Sequence, residues 1–194
     1  MSFQERVYSV LVVSAAGRFN DALQRLLPES TFQPIVVAGS VAAAQRQLLD
    51  RNFDIVLINA PLPDDPGIKL ACDLCHGTNT VALLLIKAET ADEINAKVVP
   101  QGVFTLSKPT SPPALLQGMQ WMISARERLR GWEKQAASID EKMEEIRQVN
   151  RAKWLLIEFL SMTEADAHRY IEKQAMDRCV SRREIAQNII RTYG

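Results

Sequence analysis

Apolar residues in the first part of the chain gather in five short runs: Val7 to Val13, Ile35 to Ala38, Asp54 to Ile58, Val81 to Ile86 and Val103 to Leu106. Runs this short and this rich in Val, Ile and Leu read as strands. Between them the spacing changes to three and four, as in Phe19, Leu23, Leu26 and Leu27, or Val41, Ala44, Leu48 and Leu49, which places those residues on one face of a helix. Alternation of strand and helix over about 110 residues predicts a parallel sheet covered on both faces. The unbroken apolar run Val81 to Ile86 fits a strand buried on both sides.

A different pattern begins at Ser111-Pro112, where Ser suits the residue that caps a helix and Pro its first position. No Pro recurs from Ala114 to Leu160. Met122, Ala125, Leu129, Trp132, Ala136, Ile139, Met143, Ile146 and Asn150 alternate at three and four, the spacing of a coiled-coil seam. We expect a long helix whose seam residues Met122, Leu129, Trp132, Ile139, Met143 and Ile146 pair two copies in parallel. Gly131, Ala125 and Ala136 thin that seam, and packing of the same face on the chain's own first domain is the competing reading.

Thr163 with Asp166, and Ser181 with Glu184, have the spacing in which a hydroxyl caps a helix start and an acid reaches back. Two short helices, 163 to 177 and 181 to 192, therefore follow the long one. A three-helix bundle is expected, with Leu155, Leu156, Phe159, Ala167, Tyr170, Ile171, Ala175, Ile185 and Ile189 inside.

Composition narrows the class. With 194 residues and 47% hydrophobic content, the chain has room for one medium domain and one small one. Its formal net charge is zero, so a polyanionic partner must be held by a local patch and not by the field of the whole molecule. Such a patch has material from Ala167 onward, where six basic residues stand against three acidic ones. No apolar stretch approaches the length of a membrane helix, and Met1 to Arg6 lack a secretory layout. Three cysteines, an odd number, argue for reduced thiols and a cytoplasmic protein.

The terminal pattern is specific. Ala152-Lys153, an apolar turn, Thr163 with the inner Ala167, then Ala175-Met176-Asp177 and Ser181 to Ala186 together resemble an ANTAR domain, the RNA-binding antiterminator module of bacterial regulators. Trp154 stands where that family commonly carries Gly. The front half is similar to a response-regulator receiver domain. The expected fold is thus an α/β flavodoxin-like (β/α)5 receiver over 1–120, a coiled-coil helix over 112–150 and a three-helix ANTAR bundle over 150–194.

The receiver resemblance also says what is missing. A working receiver holds Mg²⁺ on two acids after the first strand, phosphorylates an Asp after the third, and carries a Thr or Ser after the fourth and a Lys after the fifth. At those positions stand Ser14 and Ala15, Asn59, Lys87 and Lys108. Only Lys108 matches. A hard divalent ion needs carboxylate oxygens and an acyl phosphate needs a carboxylate, so a pseudo-receiver that is not phosphorylated is expected. Asp64 and Asp65 either pair with Lys87 or Lys108 or form a solvated acidic turn before Gly67.

Other chemistry has little footing. Cys72-Asp73-Leu74-Cys75-His76 matches the haem-attachment pattern C-x-x-C-H, but attachment belongs to exported chains, and Cys in the third helix of an α/β domain reads as a small apolar residue. Cys179 and His168 give no second ligand pair for zinc. No phosphate-binding loop or nucleophile elbow occurs. Neither metal, cofactor nor catalysis is expected.

The ANTAR resemblance implies binding to paired hairpin loops in nascent mRNA leaders, which prevents a terminator stem from forming. The candidate RNA-binding cations are Arg151, Lys153, Arg169, Lys173, Arg178, Arg182 and Arg183. Arg169 and Lys173, one turn apart, make a common stripe. The expected partners are RNA, a second copy of the chain and a sensor or regulator protein, with no membrane. The alternative is a protein-interaction adaptor whose receiver and coiled coil dock a sensor while the terminal bundle is structural. DNA binding through a helix-turn-helix is disfavoured, because no Gly-containing turn separates the last helices.

Overall fold

The computed structural model describes residues 6–77 and 79–194. Met1 to Glu5, part of the N-terminal reading above, lie outside them. Two compact units divide the chain, Met1–Gly131 and Trp132–Gly194.

The first unit is built on five parallel strands: β1 Tyr8–Val13, β2 Phe32–Ala38, β3 Ile55–Asn59, β4 Val81–Lys87 and β5 Phe104–Lys108, in the spatial order β2-β1-β3-β4-β5. Helices α1 Gly17–Leu26, α2 Val41–Asp50, α3 Ile68–Gly77 and α4 Ala91–Val98 connect them. The period of two along each strand sorts side chains between two cores. Leu11, Val13, Val56, Ile58, Leu84 and Ile86 meet Ala44, Leu70, Leu74 and Val98 from α2, α3 and α4. Val10, Val12, Ile55, Leu57, Leu83 and Leu85 meet Leu23 of α1 on the other face. β2 begins three residues earlier than its apolar run and includes Pro34. It is an edge strand, where a missing N–H is tolerated.

One helix, α5, runs from Pro112 to Leu160, and Ser111 Oγ accepts a bond from Ala114 N at 3.4 Å. Its first part completes the second core: Leu115, Met119 and Met122 are buried there and Leu129 packs against the same cluster. Gly118 allows this approach, since a Cβ there would lie 2.9 Å from Leu106 Cδ1. Met122 and Leu129 are therefore not seam residues. Sheet burial has taken them, and the apolar stripe begins at Trp132.

A polar cluster fixes the same stretch of α5. Arg126 Nε and Arg130 Nη2 each lie 2.9 Å from Asp54 Oδ1, while Ser9 N and Ser9 Oγ donate to Asp54 Oδ2 at 3.1 and 3.0 Å. Glu127 accepts from Arg130 at 2.7 Å and from the Tyr8 hydroxyl at 3.1 Å, and also pairs with Arg6.

In the second unit the end of α5 packs with α6 Glu164–Arg178 and α7 Arg182–Tyr193. Ala152, Leu156, Ala167, Ile171, Ala175, Ile185, Ala186 and Ile189 are its buried core. Leu155 packs against that core from partial exposure. Phe159 and Tyr170, expected inside, are exposed. Eight small and aliphatic side chains, three of them the alanines at 152, 167 and 186, make up the buried core, and neither ring is among them. Phe159 instead stacks on Tyr193, with centroids 5.8 Å apart. Thr163 Oγ1 accepts from Asp166 N at 3.2 Å and Ser181 Oγ from Glu184 N at 3.2 Å, so both caps form as the spacing requires.

Candidate nucleic-acid interface and receiver pocket

The C-terminal ends of β1, β3 and β5 bring Ser14, Asn59 and Lys108 together. Lys108 Nζ donates to Asn59 Oδ1 at 3.0 Å and also to the Ala60 carbonyl. Asn59 Nδ2 in turn donates to Ser14 Oγ at 3.1 Å, and Ser14 Oγ accepts from Ala16 N at 3.2 Å. Amide and hydroxyl thus occupy the places of carboxylates, linked in one neutral chain anchored on a lysine. Ser14 is buried, and the open depression above is lined by Ala15, Pro61, Leu62 and Pro63. Burial holds the Lys108 ammonium below its usual pKa, and the like charge of Lys87 adds to this. No carboxylate lines this depression, so its residues do not fit Mg²⁺.

Asp64 and Asp65 do not turn toward either lysine. Asp64 caps α2, accepting from Val41 N and Ala42 N at 3.0 Å each, and those bonds hold its carboxyl below the usual pKa. Asp65 Oδ1 accepts from Gly67 N at 2.6 Å and shapes the turn. A helix N-terminus concentrates unpaired N–H donors, a better partner for a short acid than a distant ammonium.

Cys72 and Cys75 are half-buried on α3, and burial pushes both thiols up in pKa. His76 turns its Nδ1 to the Cys72 carbonyl at 2.9 Å. Among the described residues no three His, Cys, Asp or Glu side chains gather as a metal site. His168 pairs with Glu172 at 3.3 Å on the surface of α6.

The seven candidate cations of the terminal unit divide into two sets. Lys153 pairs with Glu164 at 3.1 Å, Arg182 reaches Glu145 at 3.3 Å and Glu172 at 3.9 Å, and Arg169 lies 3.9 Å from Asp166. Lys153 and Arg182 therefore also tie α5, α6 and α7 to one another. Arg151, Lys173, Arg178 and Arg183 are exposed and make no ion pair among the described residues. The bundle adds two cations that sequence reasoning missed. Arg147 and Arg191 line a groove of about 480 Å³ between α5 and α7 together with Arg151, Gln148 and Gln187. Gln187 Nε2 donates to Gln148 Oε1 at 3.2 Å across it. Arg147 was findable, one turn before Arg151; Arg191 joins them only through the packing of α7.

A five-stranded parallel sheet in the order β2-β1-β3-β4-β5, with helices on both faces, is the fold of receiver domains. The ANTAR domain family matches residues 137–190, so the chain carries an ANTAR domain behind a unit with the receiver fold. It is 24% identical over 185 residues to the transcriptional regulatory protein PdtaR of Mycobacterium tuberculosis H37Rv, covering 95% of this chain and 90% of that one. Among solved structures, the signal receiver domain of an HD domain-containing protein from Pseudomonas fluorescens Pf-5 matches 68% of this chain and 96% of its own, with TM-score 0.57 and 24% identity. The chemotaxis response regulator CheY4 of Vibrio cholerae matches 60% and 99%, with TM-score 0.53 and 17% identity. Among the described residues no helix is long and apolar enough to cross a membrane.

Proposed function

We propose that the protein is a cytoplasmic, non-catalytic RNA-binding antitermination regulator that works as a dimer and whose receiver accepts no phosphoryl group. The observation that carries the RNA reading is the set of unpaired cations on the ANTAR unit. Arg151, Arg191 and Arg183 are exposed on α5 and α7; the groove that holds Arg151 and Arg191 has three arginines against one acid, Glu144. Cations in that state release phosphate-bound counterions on binding, the main sequence-independent source of affinity for nucleic acid. Hairpin loops add unstacked bases that side chains can read. Occupying such loops in a nascent leader keeps its strand out of a terminator stem.

The reading of the receiver rests on the Lys108–Asn59–Ser14 chain. An amide supplies no acyl-phosphate acceptor, and no carboxylate beside it holds a metal. The signal then enters by another route, such as a sensor or regulator protein docked on this unit.

Two measurements test these points. A gel shift of the full-length protein against two-hairpin RNAs, repeated from low to high salt, should show binding that weakens with salt; Arg151→Ala and Arg183→Ala should each flatten the slope by about 0.7 to 0.9. Absence of any shift favours the adaptor reading. Incubation with a small phosphodonor and Mg²⁺ should leave the mass unchanged, and a stoichiometric hydroxylamine-labile adduct would overturn the pseudo-receiver.

A further inference from the structure

Two large apolar side chains of the second unit, Trp154 and Met176, are left mostly in water by the packing of its bundle, and only the first is aromatic. Trp154 lies on α5 between the buried Ala152 and Leu156, yet its residue is 70% exposed. An indole left in water forgoes one of the largest burial gains a side chain offers. Its neighbours toward the start of the helix are cationic, and Glu158 lies one turn beyond it. Arg151 and Arg147 precede it by three and seven residues, which puts all three on one face of the helix. Both arginines line the α5–α7 groove with Arg191. Arg147 approaches Glu144 only to 3.8 Å, its side chain 73% exposed. The Phe159–Tyr193 stack holds the end of α7 against the next turn of α5, so Arg191 is kept close to this face.

We propose that Trp154 is a stacking platform for an unpaired base of an RNA hairpin loop, with Arg147, Arg151 and Arg191 holding the flanking phosphates. The inference rests on the RNA-binding reading and adds a contact that cations alone do not supply. Loop bases splay out of the stack and are recognised by aromatic faces set beside guanidinium groups. Charge selects this occupant over a second copy of the chain. A symmetric interface through this face would gather two sets of three arginines into one contact, whereas a phosphate backbone neutralises them.

The test uses the full-length protein and a pool of two-hairpin RNAs with randomised loops, from which the tightest-bound member becomes the probe. The same RNA with its loops closed into duplex is the control. Trp154→Ala should weaken binding to the looped RNA by about tenfold or more, as loss of one stacked base does, and leave the salt slope unchanged because no charge is removed. Trp154→Phe should restore most of the affinity. Arg151→Ala should instead lower the slope. The part of the indole fluorescence that Trp154→Phe removes, Trp121 and Trp132 supplying the rest, should be quenched by the looped RNA and not by the closed control. Light scattering and thermal melting should be the same for Trp154→Ala and the unaltered protein.

Equal affinities of Trp154→Ala and the unaltered protein overturn the platform while leaving the RNA reading in place. A loss of affinity that accompanies a change in oligomer size also overturns it, by moving Trp154 into a subunit contact. Failure of every RNA in the pool to bind the unaltered protein removes the RNA reading and the platform together.

Discussion

Asp54 precedes β3 by one residue and joins three segments of the receiver unit. Its two oxygens collect Ser9 from β1 and Arg126 and Arg130 from α5. Burial pushes its pKa up, but the bonds from the Ser9 backbone and from Arg126 outweigh this, and the carboxyl ends below its usual value. A lowered acid contributes stability that is complete above its unfolded pKa and is lost as pH falls through the folded one. Asp54→Asn should therefore destabilise the receiver by about 2 kcal/mol at neutral pH, because two arginines lose their counter-charge in a largely enclosed site. Denaturant titrations should show the gap from the unaltered protein closing only below pH 4. Nothing near Asp54 in sequence announces this role, since its partners lie 45, 72 and 76 residues away. Asn59 and Lys108 were legible for the opposite reason: a parallel sheet fixes which strand ends meet, so the residue types there could be read before any coordinates.

Local signals made the terminal elements equally readable. A hydroxyl three residues ahead of an acid marked α6 and α7, and both caps form. The turn between these helices went unseen because its left-handed residue is not a glycine. Cys179 has φ 52°, its N–H bonds to Met176 O at 3.2 Å and the Val180 N–H to Ala175 O at 3.1 Å. That pair of bonds is the Schellman ending, usually built on Gly. Cys179→Gly should remove the steric penalty and raise the stability of the bundle by up to about 1 kcal/mol, whereas Ser181→Ala should lower it by about 1 kcal/mol. Thermal melting of both variants checks the opposite signs. In α5 the limit of sequence reading has another origin. Met122 and Leu129 obey the same alternation as Ile139 and Ile146, and periodicity names a face without naming what covers it; only the sheet's need for a fifth helix separates the two sets.

At the scale of the whole protein, a net charge of zero removes any general attraction to nucleic acid, so the proposed RNA binding has to draw on local cations and valency. Valency needs a second copy, and the stripe left on α5 after the receiver core is filled is suited to supply it. Trp132, Ile139, Met143 and Ile146 are between 48 and 55% exposed, each half in water, at the spacing of a coiled-coil seam. Apolar rows of this kind are a liability on a monomer and are covered when two copies face each other. If the stripe pairs two copies as proposed, Ile139→Asp combined with Ile146→Asp places four carboxylates in the seam, and light scattering should give a dimer for the unaltered protein and a monomer for the variant. Because the four residues lie outside the ANTAR core, circular dichroism should still report a folded bundle. The RNA consequence follows from effective concentration: affinity for one hairpin should be retained, while affinity for two linked hairpins should fall by about a hundredfold or more. A variant that stays dimeric, or a monomer that binds linked hairpins as tightly as the unaltered protein, would separate RNA recognition from this stripe. With no acyl phosphate available at Asn59, a phosphodonor should leave the light-scattering mass of the unaltered protein where it was, so that pairing of the stripe is governed by protein concentration or a bound partner.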